Sequence, residues 1–375
     1  MIYLDNAATT ALDPRVSAAM LEVMQQHYGN PSSIHAAGRK ARALVEQARK
    51  TVARLINAAP AEVFFTSGGT EADNTALING VVQLGVKHLI TSSIEHHAVT
   101  HTAEYLAKQY GVRLSWVNHH PNGQVDLEDL ERLLQMEGKA MVSLMHANNE
   151  VGILLPIMQV GELCKKYDAL FHSDTVQSMG HYPMDVKAVG LDCTACAAHK
   201  FHGPKGVGFM YINSERNFGP FIHGGAQERN MRGGTENVYG IVGLARALEL
   251  AYEELEADRA HILSLKRQLR DGLLERIPGV QFNGGSDDLE NSLFTVLNVH
   301  FPANDGSEMF LFNLDIAGIC ASGGSACSSG SNQGSHVLRG LGVNQEQPNV
   351  RFSFSKFNTA EEIQLVIEKV SALFA

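Results

Sequence analysis

The chain has 375 residues, enough for one large domain with a smaller one appended, or for two domains. Hydrophobic residues make up 44% and charged residues 19%, the balance of an ordinary soluble globular protein. A formal net charge of −10 argues against non-specific nucleic-acid binding and against docking on an anionic membrane.

Read from the start, Asp13-Pro14 opens a helix, with a carboxylate at the N-cap and proline in the first turn. Residues 36–57 carry Leu44, Val45, Ala48, Val52, Leu55 and Ile56 at helical spacing. Val63–Thr66 reads as a strand and Glu71–Leu84 as a helix. Further strands are expected at His88–Ser92, Leu114–Val117, Met141–Met145, Ala169–Ser173, Cys193–Ala197 and Val207–Ile212. Helical patterns at Val99–Tyr110, Leu127–Gln135 and Pro156–Tyr167 separate most of them. Strands alternating with helices predict βαβ units and a mainly parallel sheet, whose ligands sit outside the carboxyl ends of the strands. After about residue 240 the rhythm changes. One long helical pattern runs from Ile241 to Ile277, followed by strand Leu293–Phe301, helix Glu308–Ala317, and strands Ile319–Ala321 and Asn349–Ser355. A capping box at Thr359-Ala-Glu-Glu362 starts the last helix. The expected organisation is a large α/β domain over 15–256 and a small α+β domain from 1–14 and 257–375, although the segment before Pro14 fits either one. No apolar run is long enough to span a membrane.

Three constellations carry chemistry. Thr66-Ser67-Gly68-Gly69-Thr70-Glu71 joins a strand to a helix, where free N–H groups and the helix dipole favour a phosphate. It lacks G-K-[ST], so it is no Walker A loop, and it also reads as a plain glycine-rich turn. Asp174 ends an apolar strand and either holds a protonated ring nitrogen or caps a helix. Lys200 follows another buried strand in Ala197-Ala-His-Lys-Phe-His-Gly-Pro-Lys-Gly206. It is either a lysine able to form a Schiff base or a solvated loop cation. Together, a phosphate cradle, a carboxylate and such a lysine are the parts of a pyridoxal 5'-phosphate site.

The cysteines are Cys164, Cys193, Cys196, Cys320 and Cys327, a poor disulfide framework. The opening M-I-Y-L-D-N-A-A-T-T has no leader pattern, so a reducing cytoplasm is the expected location. Cys327 stands in A-S-G-G-S-A-C-S-S-G-S-N-Q-G (321–334), which holds five serines, four glycines and no charge. That composition predicts a mobile loop, and a thiol there predicts reach and reactivity. The C-x-x-C pair Cys193/Cys196 lies on a strand that should send its two thiols to different environments. His97 and His101 lack an accompanying H-E-x-x-H, so no metal is expected.

L-D-N-A-A-T-T, G-N-P-S-S (29–33), T-S-G-G-T-E, E-H-H-A-V (95–99), N-N-E (148–150), H-S-D-T-V-Q, H-K-F-H-G-P-K-G, R-G-G-T-E-N (232–237), G-S-A-C-S-S and V-R-F-S-F-S occur in this order. The set resembles the cysteine desulfurases of the NifS/IscS kind, which are class V aminotransferase-like, fold-type I pyridoxal phosphate enzymes. The resemblance runs from Tyr3 nearly to the C-terminus. It implies a PLP-dependent transferase fold of type I: α/β, with a mainly parallel central sheet, helices on both faces and a smaller α+β domain. The implied activity converts L-cysteine to L-alanine and leaves a persulfide on Cys327, whose sulfur passes to an acceptor protein for iron–sulfur assembly or tRNA thiolation.

By the same resemblance Lys200 is the Schiff-base lysine, Asp174 the partner of the pyridine nitrogen and Gln177 a contact to the ring hydroxyl. Gly69, Thr70 and His199 contact the phosphate. Thr235 is lent by the neighbouring subunit of a homodimer. His96 stacks on the ring and assists proton transfer. Asn149 serves cofactor and substrate, Arg351 clamps the substrate carboxylate, and Cys327 accepts sulfur. Period two supports Arg351: it shares the polar face of its strand with Ser353 and Ser355, opposite Val350, Phe352 and Phe354. Two departures stand out. Ala197 occupies a place where the family usually has a hydroxyl, and the chain stops at Ala375 where many relatives extend to dock a scaffold protein. Rival readings are a selenocysteine or cystine lyase on the same scaffold, a plain transaminase, and a non-catalytic regulatory dimer that binds pyridoxal phosphate.

Overall fold

The computed structural model describes residues 1–304, 306–324 and 334–374. Its principal sheet contains β2 (Val63–Thr66), β3 (His88–Thr91), β4 (Arg113–Trp116), β5 (Ala140–Ser143), β6 (Leu170–Asp174), β7 (Cys193–Ala197) and β8 (Gly208–Ile212). The spatial order is β2-β8-β7-β6-β5-β3-β4. Neighbours from β7 through β4 are parallel, and only β8 runs against its two partners. This is the mainly parallel sheet that the alternating pattern predicts. A second sheet, β12-β10-β9, pairs Asn349–Ser353, Val296–His300 and Gln281–Phe282 antiparallel. A small parallel pair joins β1 (Ile2–Tyr3) to β11 (Ile319–Cys320).

Strand alternation feeds two cores. Val63, Phe65, Phe171, Cys196, Phe209 and Tyr211 point into one. Phe64, Leu170, Cys193, Met210 and Ile212 point into the other. The first core is closed by α1 (Pro14–Gln26), α2 (Ala36–Leu55), α6 (Ile157–Lys166) and α8 (Val238–Glu253). The second is closed by α3 (Gly69–Val82) and α4 (His97–Tyr110). Cys193 and Cys196 therefore lie on opposite faces of the sheet, as odd spacing on a strand requires. A third core lies between the β12-β10-β9 sheet and the helices α9 (Leu255–Arg276) and α12 (Ala360–Ala372), and it includes Ile2 and Leu4.

One expectation is corrected. The single helical pattern over Ile241–Ile277 is broken at Glu254, which ends α8 and caps α9 with φ −101° and ψ 2°. Its carboxylate is drawn off the helix line to Lys356, at 2.9 Å, and to Arg15. These are tertiary partners that periodicity cannot show. The segment before Pro14 makes contacts on two sides: Leu4 enters the third core, while the Thr10 N–H donates to the His199 carbonyl at 2.9 Å. The caps were legible. Asp13 accepts from the Arg15 N–H with Pro14 next to it, and Thr359 and Glu362 form the capping box.

Candidate active site

The carboxyl ends of β2, β3, β5, β6 and β7 open onto one cavity of about 220 Å³. Gly69, Thr70, His96, Asn149, Asp174, Gln177, His199 and Lys200 line it from the large sheet. Arg351 closes it from β12.

At one end the first turn of α3 faces the cavity. Its N-cap, Gly68, has φ +154° and no side chain to cap the helix, which leaves N–H groups there for an anion. Gly69 packs so closely that a Cβ would lie 2.6 Å from Val176 Cγ2. His199 Nδ1 is 3.2 Å from Thr9 Oγ1, and burial lowers this histidine to about 4, so the ring is neutral. Ala197 lines the same end without a polar side chain.

At the other end, Asp174 accepts the Val176 N–H at 2.8 Å, so it is both a turn cap and a cavity carboxyl. Burial, then the nearby Asp73, raises it to about 7. A cation in the cavity would favour its ionised form. His96 caps α4: its Nδ1 accepts the Ala98 N–H at 3.1 Å, which puts the proton of the neutral ring on Nε2. Burial, then Lys200, lowers His96 to about 4. At neutral pH it is therefore an uncharged imidazole with a donor at Nε2.

The Lys200 Nζ donates to the Ala7 and Ala8 carbonyls at 2.6 and 2.8 Å, and Gln177 Nε2 also donates to Ala7 at 3.0 Å. The N-terminal loop thus aims both side chains. Arg351 is 1% exposed although β12 is a sheet edge, because Ser322 pairs with the Arg351 backbone and the N-terminal segment bridges to Ser353 beside it. Its Nη1 donates to the Asn149 carbonyl at 2.8 Å and its Nη2 to Asp5 at 2.9 Å. Its Nε and the Asn149 Oδ1 are buried with no hydrogen-bond partner among the described residues.

The aminotransferase class-V family model matches residues 2–366. A Clostridium botulinum cysteine desulfurase IscS is 42% identical over 372 residues, covering 98% of this chain and 92% of the relative. The chain belongs to the aminotransferase class-V family. Among solved structures, a NifS-like protein superposes with TM-score 0.91 at 38% identity, covering 100% of this chain and 99% of the other. SspA in complex with cysteine does so with TM-score 0.82 at 30% identity, covering 96% and 100%. The family implies pyridoxal phosphate. The uncapped α3 turn, the buried carboxyl at Asp174 and the unpartnered Asn149 Oδ1 fit its phosphate, ring nitrogen and polar substituents in turn.

Not every predicted residue of this class-V family member reaches the cavity. Thr235 lies in a separate surface cavity with His27, Tyr28 and Asn30. Cys327 lies outside the described residues, although Ser322, five residues earlier, pairs its backbone with Arg351. His97 stacks on His101 at 4.4 Å and meets His336 in a tilted contact at 4.1 Å, outside the cavity lining. Sequence reasoning missed Asp5, which orients Arg351, and Asp73, which is buried in the cavity wall. Asp73 had a signal: it falls in register with Ala76, Leu77 and Gly80 on the buried side of α3, an apolar position for a carboxylate.

Proposed function

We propose that the chain is a pyridoxal phosphate-dependent cysteine desulfurase that converts L-cysteine to L-alanine and carries the sulfur away on Cys327. The observation that supports this most is the meeting of Lys200, Asp174, His96 and Arg351, from two sheets, in one cavity. Lys200 would hold the cofactor, with the α3 turn, Thr70 and His199 on its phosphate and Asp174 on its ring nitrogen. When bound, the cofactor supplies an electron sink for the substrate's α-carbon. Arg351 receives the substrate carboxylate as a planar fork already set by Asp5 and Asn149. The Lys200 amine takes the α-proton and His96 Nε2–H serves proton transfer at the substrate. The thiolate of Cys327 attacks the substrate sulfur: an S–S bond forms, the C–S bond breaks, and the electron pair left on carbon takes up a proton to give alanine.

The sulfur would then pass to an acceptor protein for iron–sulfur assembly or tRNA thiolation. The proposed working unit is a cytoplasmic homodimer in which Thr235, placed away from its own chain's cavity, completes the phosphate site of the partner. Among the described residues, no helix is long and apolar enough to cross a membrane.

The test is alanine release from L-cysteine, L-selenocysteine and L-cystine by the purified protein. The reading expects cysteine to be turned over, with release abolished in K200A and at least ~10²-fold slower in Cys327→Ala. Release from cystine alone, or alanine formed by Cys327→Ala at the unmodified rate, would overturn it.

A further inference from the structure

The cavity wall holds a second carboxyl to which the desulfurase reading gives no role. Asp73 is 1% exposed, one helical turn beyond Gly69 on α3. One ligand atom each of Asp73, His96 and Asp174 lie within 4.8 Å of one another. Two buried carboxylates at this spacing cannot both be ionised. The surroundings decide which one holds the proton. Asp174 has the Val176 N–H on one oxygen and shares the cavity with Lys200 and Arg351.

Asp73 faces His172 instead, with Oδ1 3.3 Å from Nε2. His172 is fully buried on β6, two residues before Asp174, and its Nδ1 is 2.8 Å from Ser143 Oγ. Burial lowers His172 to about 4, so it offers no cation. His96 is likewise neutral, burial raises the nearby Glu95, and burial with Asp192 and Asp73 raises the Cys193 thiol on β7. No hydrogen-bond donor reaches Asp73 Oδ1 among the described residues, and burial drives this carboxyl well above its ordinary range.

We propose that Asp73 is a positioning residue for Asp174: it keeps a proton, so that the charge of the carboxyl pair rests on Asp174, facing the cavity. The neutral form also fits the network. A proton on Asp73 Oδ1 would face His172 Nε2 across 3.3 Å, and the ring's own proton would then sit on Nδ1, toward Ser143 Oγ. This assignment rests on the reading of the cavity as the cofactor site. Its alternative is an ionised Asp73 paired with a charged His172.

Infrared difference spectra of the holoenzyme in D2O distinguish the two. Unmodified protein minus D73N is expected to show loss of a protonated-carboxyl band, and unmodified minus D174N loss of carboxylate bands. D73N should leave the pH midpoint of the cofactor's visible absorption within about 0.3 unit, since one neutral group replaces another. Carboxylate bands lost in D73N, or a midpoint moved by about one unit or more, would overturn the proposal. If D73N fails to fold, D174N carries the test: a protonated band lost there reverses the assignment. Failure of the cofactor reading looks different. Added pyridoxal phosphate would then give no protein-bound visible band, while the carboxyl bands of Asp73 would still be readable.

Discussion

Replacing Arg351 with glutamine tests how the substrate is held. In the structure Nη1 and Nη2 are already tied to the Asn149 carbonyl and Asp5, at 2.8 and 2.9 Å, so the fork is oriented before substrate arrives. Its Nε is buried without a partner among the described residues and so retains donor capacity. Two hydrogen bonds to a carboxylate, one from Nε and one from the second N–H of Nη1, at roughly 1.5–3 kcal/mol each, give a loss of about 3–6 kcal/mol. That corresponds to a fall of ~10²–10⁴ in kcat/KM. Cysteamine, which is cysteine without its carboxylate, provides the control. The unmodified enzyme should prefer L-cysteine over cysteamine by about that factor. R351Q should lose most of the preference while changing cysteamine turnover by less than about threefold. Visible absorption of bound cofactor should persist. Equal losses on both substrates would show that Arg351 only supports the fold, and an unchanged preference would refute its role.

Removing one member of the buried Arg49–Glu228 pair, joined at 2.7 and 2.8 Å, should cost about 3–5 kcal/mol in denaturant unfolding of R49M, because Glu228 is left buried and unpaired. G69A should weaken cofactor binding by about 1–3 kcal/mol, since its Cβ would meet Val176 Cγ2 at 2.6 Å. Titration of G69A/V176A should recover part of that loss. Lys266 is fully buried, with Nζ on Ser292 Oγ at 2.7 Å, and burial lowers it to about 7 despite Asp287 and Asp288. The unfolded chain therefore binds the extra proton between pH 7 and about 10, and Lys266 makes stability rise with pH across that window, by at most ~5 kcal/mol. Melting temperatures of K266M should lack that rise; an identical pH profile would show that Lys266 titrates normally.

Much of the site could be read from the chain because strand ends in a parallel sheet announce themselves. Apolar runs ending in Asp174, or followed by Lys200, point their next polar residue into the crevice. Alternation likewise placed Arg351 on the face opposite Val350 and Phe352. What sequence could not show depended on distant partners. The N-terminal loop that aims Lys200 and buries Arg351 comes from some 190 to 350 residues away in the chain. The break at Glu254 is set by Arg15 and Lys356. Asp73 acquires meaning only when α3 packs over β6 and brings it to His172. Cys327 was singled out by composition and resemblance, and its place relative to the cavity lies outside the described residues.

The most direct test is mass spectrometry of the intact protein after brief exposure to L-cysteine, with alanine measured in the same sample. The account predicts the added mass of one sulfur atom, mapped to Cys327 and removed by a thiol reductant, with one alanine released per sulfur bound. Alanine without added sulfur, or sulfur mapped to another cysteine while Cys327→Ala keeps full turnover, would contradict it.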